Sequence, residues 1–197
     1  MPILALALIV LVAGLGGPPP AAASPDTPGY AKAVTCSACH GANGNSRSEA
    51  IPVLAGMNAA YFKKAIEDYA AGRRVSTEME PFAKQVKLLG VDELAAYFAA
   101  QRREALPVKA DRAVVDRGRA AAAPCATCHG PEGQGDAPRL IPAIAGQPAG
   151  YLRNQLQLFK ADKRSPGDPA LTQLKSIVRP IPDETLADIA AYYSSLR

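Results

Sequence analysis

Apolar residues recur at helical spacing in two long stretches of the chain, "YFKKAIEDYAAGRR" from Tyr61 and "YLRNQLQLFKADKR" from Tyr151. Two further helices follow, "DELAAYFAAQRR" from Asp92 and "PDETLADIAAYYSSLR" from Pro182. The second opens on an Asp/Glu-rich first turn, which suits the positive end of a helix dipole. No stretch sustains the alternation of a strand. The pattern predicts an all-α protein.

The helices belong to a repeat. The words "CSACHGANG" (Cys36 to Gly44) and "CATCHGPEG" (Cys125 to Gly133) match, with His40 and His129 closing the cysteine pairs. Gly29 lies seven residues before Cys36, and Gly118 seven before Cys125, each in a short helix-like stretch. Downstream, Pro52 matches Pro142, Gly56 matches Gly146 and Tyr61 matches Tyr151. The expected boundaries are 1–23 for a leader, 24–104 for a first domain and 105–197 for a second. "REALPVKAD", around Leu106 and Pro107, is the linker.

The apolar start, "MPILALALIVLVAGLGG", runs into "PPPAAAS". Its small residues fit a signal-peptidase site near Ala23, with the mature chain starting near Ser24 and exported to the periplasm. An uncleaved anchor is the rival reading, although the run is shorter than the roughly 20 residues a membrane span needs. Units of about 80–90 residues have thin cores and usually need a staple.

The staple is written in the cysteines. An exported chain would ordinarily pair them as disulfides, but all four sit in CxxCH motifs. CxxCH reads as covalent attachment of haem c. Two intervening residues in a turn of helix set both sulfurs along one porphyrin edge, and the next residue supplies an axial nitrogen. A zinc site would need four ligands, more than the four cysteines and two histidines can supply to two sites. A redox CxxC belongs in a βαβ setting, which the pattern lacks. The expectation is two covalent haems, on Cys36, Cys39 and His40 and on Cys125, Cys128 and His129.

With CxxCHG twice, P-x-x-A-G twice (Pro52 to Gly56, Pro142 to Gly146) and the "AAYF" and "AAYY" terminal helices, the chain resembles the di-haem class I cytochromes c of the cytochrome c4 type. It is also similar to the cytochrome subunit of flavocytochrome c sulfide dehydrogenase. The resemblance implies two tandem class I cytochrome c domains. It implies that the carbonyls of Pro52 and Pro142 orient the ligating histidines. It also implies that Gly29 meets Tyr97, and Gly118 meets Tyr192, where the first and last helices cross.

In that family a methionine upstream of the terminal helix closes the iron. Met79, 18 residues before Tyr97 in "STEMEPFAK", fits that place, and Met57 reads as packing. The same count back from Tyr192 reaches Leu174, in "LTQLKSIVRP". Residues 105–197 contain no methionine, and His129 is their only histidine. Three outcomes are open for the second haem: an open face under Leu174, a water, or a nitrogen from Lys175.

Charge excludes little. The chain carries a formal net charge of +4, with no basic run long enough for nucleic acid. Four haem propionates would bring it near neutral, with Arg47, Arg139 and Arg153 as candidate partners for them. Modest charge suits brief encounters with redox proteins, including a membrane-surface association. The leading reading is a periplasmic electron carrier with no catalytic side chain, between a donor complex or dehydrogenase and an acceptor such as a terminal oxidase. Its rivals are a tightly bound subunit of a flavoprotein dehydrogenase and a ligand-binding or enzymatic protein using an open second haem.

Overall fold

The computed structural model describes residues 25–105 and 110–196. The proposed leader and the linker residues Leu106 and Pro107 lie outside them. The first half holds α1 (Tyr30–His40), α2 (Ala59–Ala70), α3 (Met79–Leu89) and α4 (Val91–Ala100). The second holds α5 (Arg112–Ala121), α6 (Ala123–His129), α7 (Ala149–Lys160), α8 (Thr172–Val178) and α9 (Asp183–Ser195). The described residues form no strand, only two isolated bridges, Arg74 with Arg164 and Asp136 with Ile141.

Local chemistry starts these helices where the sequence says it should. The Asn58 side chain accepts from the Tyr61 amide at the head of α2, and Asp111 accepts from Ala113 at the head of α5. Asp183 and Glu184 occupy the first turn of α9, where Asp183 also pairs with Lys160 of α7 at 2.6 Å. α1 runs unbroken through its CxxCH. In the second half Ala122 separates α5 from α6, and Pro124 sits in the first turn of α6, where a missing N–H costs nothing.

Each half buries its own core. Phe62, Ile66, Leu94, Tyr97 and Phe98 form the first, with the Phe62 and Phe98 rings 5.6 Å apart. Leu152, Ile189, Ala190 and Tyr193 form the second. The terminal helix packs on the first helix of its half, as α4 on α1 and α9 on α5. The two early glycines make this possible. A Cβ on Gly29 would stand 2.5 Å from the Glu93 carbonyl oxygen and 3.0 Å from Tyr97 Cβ. One on Gly118 would run into the Asp188 carbonyl and approach Tyr192 Cβ at 2.9 Å. The expected Gly29–Tyr97 and Gly118–Tyr192 crossings are both present.

α3 and α8 are helices that the periodicity did not announce. Their inward rows correspond. Met79, Ala83 and Val86 face the first core, and Leu174 and Val178 of α8, with Ile181 just past its end, lie 95 positions later with a similar pattern of covered and exposed neighbours. The offset between the two halves is 90 at Pro52 and Pro142 and 95 at Met79 and Leu174, so the segment leading to Leu174 is five residues longer than the one leading to Met79.

Candidate functional site

α1 ends in Cys36, Cys39 and His40, and α6 ends in Cys125, Cys128 and His129. Cysteines three apart in a helix share a face, and the histidine follows directly on the last turn. None of the four cysteines is joined in a disulfide. After each helix the chain loops back and lays a proline carbonyl against the imidazole. His40 Nδ1 lies 2.9 Å from the Pro52 oxygen, and His129 Nδ1 lies 2.9 Å from the Pro142 oxygen. A carbonyl only accepts, so Nδ1 carries the proton and donates. Nε2 is left with a bare lone pair. Burial pushes both imidazoles below their ordinary pKa, more strongly than the proline contact opposes it, and the Arg164 guanidinium adds to the effect at His129. Each imidazole is therefore neutral and aimed, the state a metal requires. Two cysteine side chains outside any disulfide, beside one neutral nitrogen donor, fit covalent haem c at both places. They do not fit a zinc site, since among the described residues no three His, Cys, Asp or Glu side chains gather to hold an ion.

Met79 opens α3 and is half-buried against the first core. Met57 also packs on that core, as expected for a packing residue. Leu174 is half-buried on the inward row of α8. Lys175, the lysine among the three outcomes, lies close by. Lys175 is 5% exposed, and its ammonium donates to Asp162 Oδ1 at 2.6 Å and to the Ser165 carbonyl. It faces the loop before α8, about 100° around the helix from Leu174. Arg47 pairs with Glu104, Arg139 pairs with Asp136 at 2.7 Å, and Arg153 is exposed.

The structure brings forward a different set of arginines. Arg74 is 3% exposed and lies between the halves. It donates to Tyr151 Oη at 2.5 Å and to Gln155 Oε1 at 2.9 Å, and stacks 4.5 Å over the Tyr69 ring. Arg164 answers from the other half. It donates to Tyr61 Oη at 3.0 Å and to the same Gln155 oxygen at 2.8 Å, and stacks 4.3 Å over Phe159. Burial pushes the Tyr61 phenol up, but the Arg164 and Arg74 guanidiniums bring it below its usual value. Among the described residues neither arginine has a carboxylate partner. A matching signal was in the sequence, since "GRR" and "DKR" follow the ends of the two matched helices.

Other contacts seal the same interface. Gln147 accepts from the Val53 amide at 3.0 Å and donates to the Val53 carbonyl at 2.8 Å. Arg103 donates to the matched carbonyls of Ala55 and Ala145, at 3.2 and 2.6 Å. Tyr151 donates its amide to the Glu49 carbonyl. The two loops that carry Pro52 and Pro142 are thus tied to each other.

Comparison with known proteins agrees with this geometry. Residues 115–197 match the family model described as Cytochrome c. The chain is 34% identical to cytochrome c4 of Pseudomonas aeruginosa over 85% of its own length and 87% of the relative's. It is 30% identical to a thiosulfate dehydrogenase electron acceptor of Stutzerimonas stutzeri, over 83% of this chain and 80% of the relative. The crystal structure of reduced cytochrome c4 from Pseudomonas stutzeri superposes with a TM-score of 0.76 at 27% identity, covering 86% of this chain and 97% of that one. The chain belongs to the cytochrome c4 family and carries two covalently bound haem c groups, one on each CxxCH.

Proposed function

We propose that this electron-transfer haem protein works in the periplasm as a two-centre carrier, taking single electrons from a dehydrogenase or cytochrome complex and passing them to an acceptor such as a terminal oxidase. The observation that carries the reading is the pair of His–Pro contacts at the ends of two matched CxxCH helices. Bound haem supplies a reversible one-electron couple. The protein's part is to fix that couple and to keep other chemistry away.

Residues 24–104 and 105–197 each act as one domain. In each, the cysteines anchor the group, His40 or His129 holds it from one side, and the proline carbonyl fixes the imidazole's tautomer and direction. Met79 would hold the group from the other side in the first domain. Its place at the head of α3, half-buried against the core, supports that role. Arg74 and Arg164 fit the carboxylates of the two groups. A buried guanidinium stays charged and needs compensation, which tyrosines and one glutamine supply only in part. The likeness to a thiosulfate dehydrogenase electron acceptor favours, as donor, a dehydrogenase acting on a reduced sulfur compound. Among the described residues no helix is long and apolar enough to cross a membrane.

The test is direct. A pyridine haemochrome assay after acid–acetone extraction is expected to count two haems per chain, and a reductive titration to take up two electrons. Stopped-flow mixing with a thiosulfate dehydrogenase should then reduce the protein. Extractable haem, or a count of one, overturns the reading. Reduction by other dehydrogenases but not by this one overturns the choice of donor.

A further inference from the structure

We propose that the C-terminal haem has no protein ligand on its second face and binds a neutral diatomic ligand of ferrous iron, carbon monoxide or nitric oxide, beneath Leu174. This rests on the two-haem reading above. It departs from a simple pair of equivalent carriers.

Three observations carry it. The first is register. Met79 begins the inward row of α3, and Leu174 begins the matching row of α8. The rows continue as Ala83 and Val86 in one half and Val178 and Ile181 in the other. A leucine therefore stands where the first half offers a thioether, and an alkyl side chain has no lone pair for iron.

The second observation removes the nearby alternative. Lys175 is buried, but its ammonium is engaged by Asp162 Oδ1 and the Ser165 carbonyl. It has a reason to be there. The loop before α8 holds Asp162 at φ 55 and Ser165 at φ 49, left-handed conformations that cost a non-glycine residue energy. Lys175 clamps both of these residues. Its counterpart in α3, Glu80, does a similar task by accepting from the Ser76 amide. Moving Lys175 to iron would break the clamp and strand Ser165's buried carbonyl.

The third observation excludes more distant donors. Lys160 is held by Asp183 and the Ile181 carbonyl, and Lys163 is exposed. Met57 packs in the first core. His129 is already directed by Pro142. The inward row of α8 is aliphatic and presents no hydrogen-bond donor. Distal polarity and donors decide which small ligands a haem holds. An aliphatic lining suits carbon monoxide or nitric oxide and gives nothing to a bound oxygen that builds up charge.

The experiment uses the full-length holoprotein, fully reduced, with its haem count checked at two by pyridine haemochrome. Titration with carbon monoxide is expected to saturate at about one equivalent per chain, with a change in half of the Soret intensity. Leu174→Met should lower the uptake at least tenfold and roughly double the ferric sulfur-to-iron absorption band. Lys175→Arg, which keeps a cation for Asp162 but cannot ligate iron, should leave the uptake at one equivalent. No uptake by the wild type overturns the proposal, and uptake gained only in Lys175→Arg would identify the lysine as the ligand instead. Two equivalents would mean that Met79 does not hold the first iron, and would overturn the asymmetry. A haem count other than two would fault the underlying reading rather than this one.

Discussion

At the scale of single residues, the two halves differ most sharply at Met79 and Leu174. Both side chains are half-buried on matching helix faces, so their difference is chemical rather than positional. Met79→Ala should therefore abolish the sulfur-to-iron band near the red edge of the ferric spectrum and lower the potential of the first haem. It should also destabilise the fold by an amount at the low end of the roughly 2–5 kcal/mol typical of Met→Ala, because the side chain is only half covered. A band that survives in the variant would assign the ligand elsewhere, with Met57 the first to examine. The residues easiest to read from the sequence were those whose chemistry needs a fixed spacing. Cys36, Cys39, His40 and their counterparts are legible because thioether attachment permits little variation. Arg74 and Arg164 were not, although they are matched in the sequence. An arginine a few residues past a helix looks like a solvated charge until its neighbour from the other half is known, and Tyr151 lies 77 positions from Arg74. The surroundings of Lys175 were hidden for the same reason. Its position beside Leu174 suggested iron, while its partner Asp162 is set by a loop whose path the sequence does not announce.

At the scale of elements, the terminal helices were legible from periodicity and capping, and α3 and α8 were not. The latter two are short or only half-covered, so their apolar rows are sparse: Met79, Ala83 and Val86 in one, Leu174 and Val178 in the other. The crossing of α5 and α9 is the reverse case, because one glycine announces it. Gly118 sits inside a regular helix with Asp188 and Tyr192 against its Cα. An added methyl group there must push α9 away, since the nearest atoms are backbone. Gly118→Ala should cost about 1–3 kcal/mol, the usual range for overpacking, despite alanine's better helix propensity. For a unit of this size that is a fall of several degrees in the thermal midpoint, read by circular dichroism. An unchanged or raised midpoint would mean that the crossing is looser than drawn. Gly90, between α3 and α4, makes a useful control in the opposite sense. It has room for a side chain, with only Lys32 Nζ nearby at 3.5 Å, but its φ of 90° would strain any other residue.

At the scale of the molecule, Gln155 is the joint. Its one side-chain oxygen receives both Arg74 and Arg164, one guanidinium from each half. Gln155→Leu keeps the volume and removes the acceptor. It leaves two cations facing each other with less compensation, a penalty of about 1–3 kcal/mol for each donor so stranded. The expected result is one calorimetric transition for the wild type and two for the variant, as the halves uncouple. The same joint bears on how the two haems differ in use. With Met79 on one side and no thioether on the other, the first haem should hold the higher potential. An electron arriving at either end would then rest on the N-terminal haem, so the clasp of Arg74, Arg164 and Gln155 serves a downhill step from the second half to the first. Spectroelectrochemical titration should resolve two one-electron steps, with the higher one belonging to the haem that shows the sulfur-to-iron band. Met79→Ala should draw the two steps together by lowering the upper one, and Leu174→Met should do so by raising the lower. If the wild type titrates as two equal centres, the inequality fails as an account of direction, and the electron's path must be set by the partners alone.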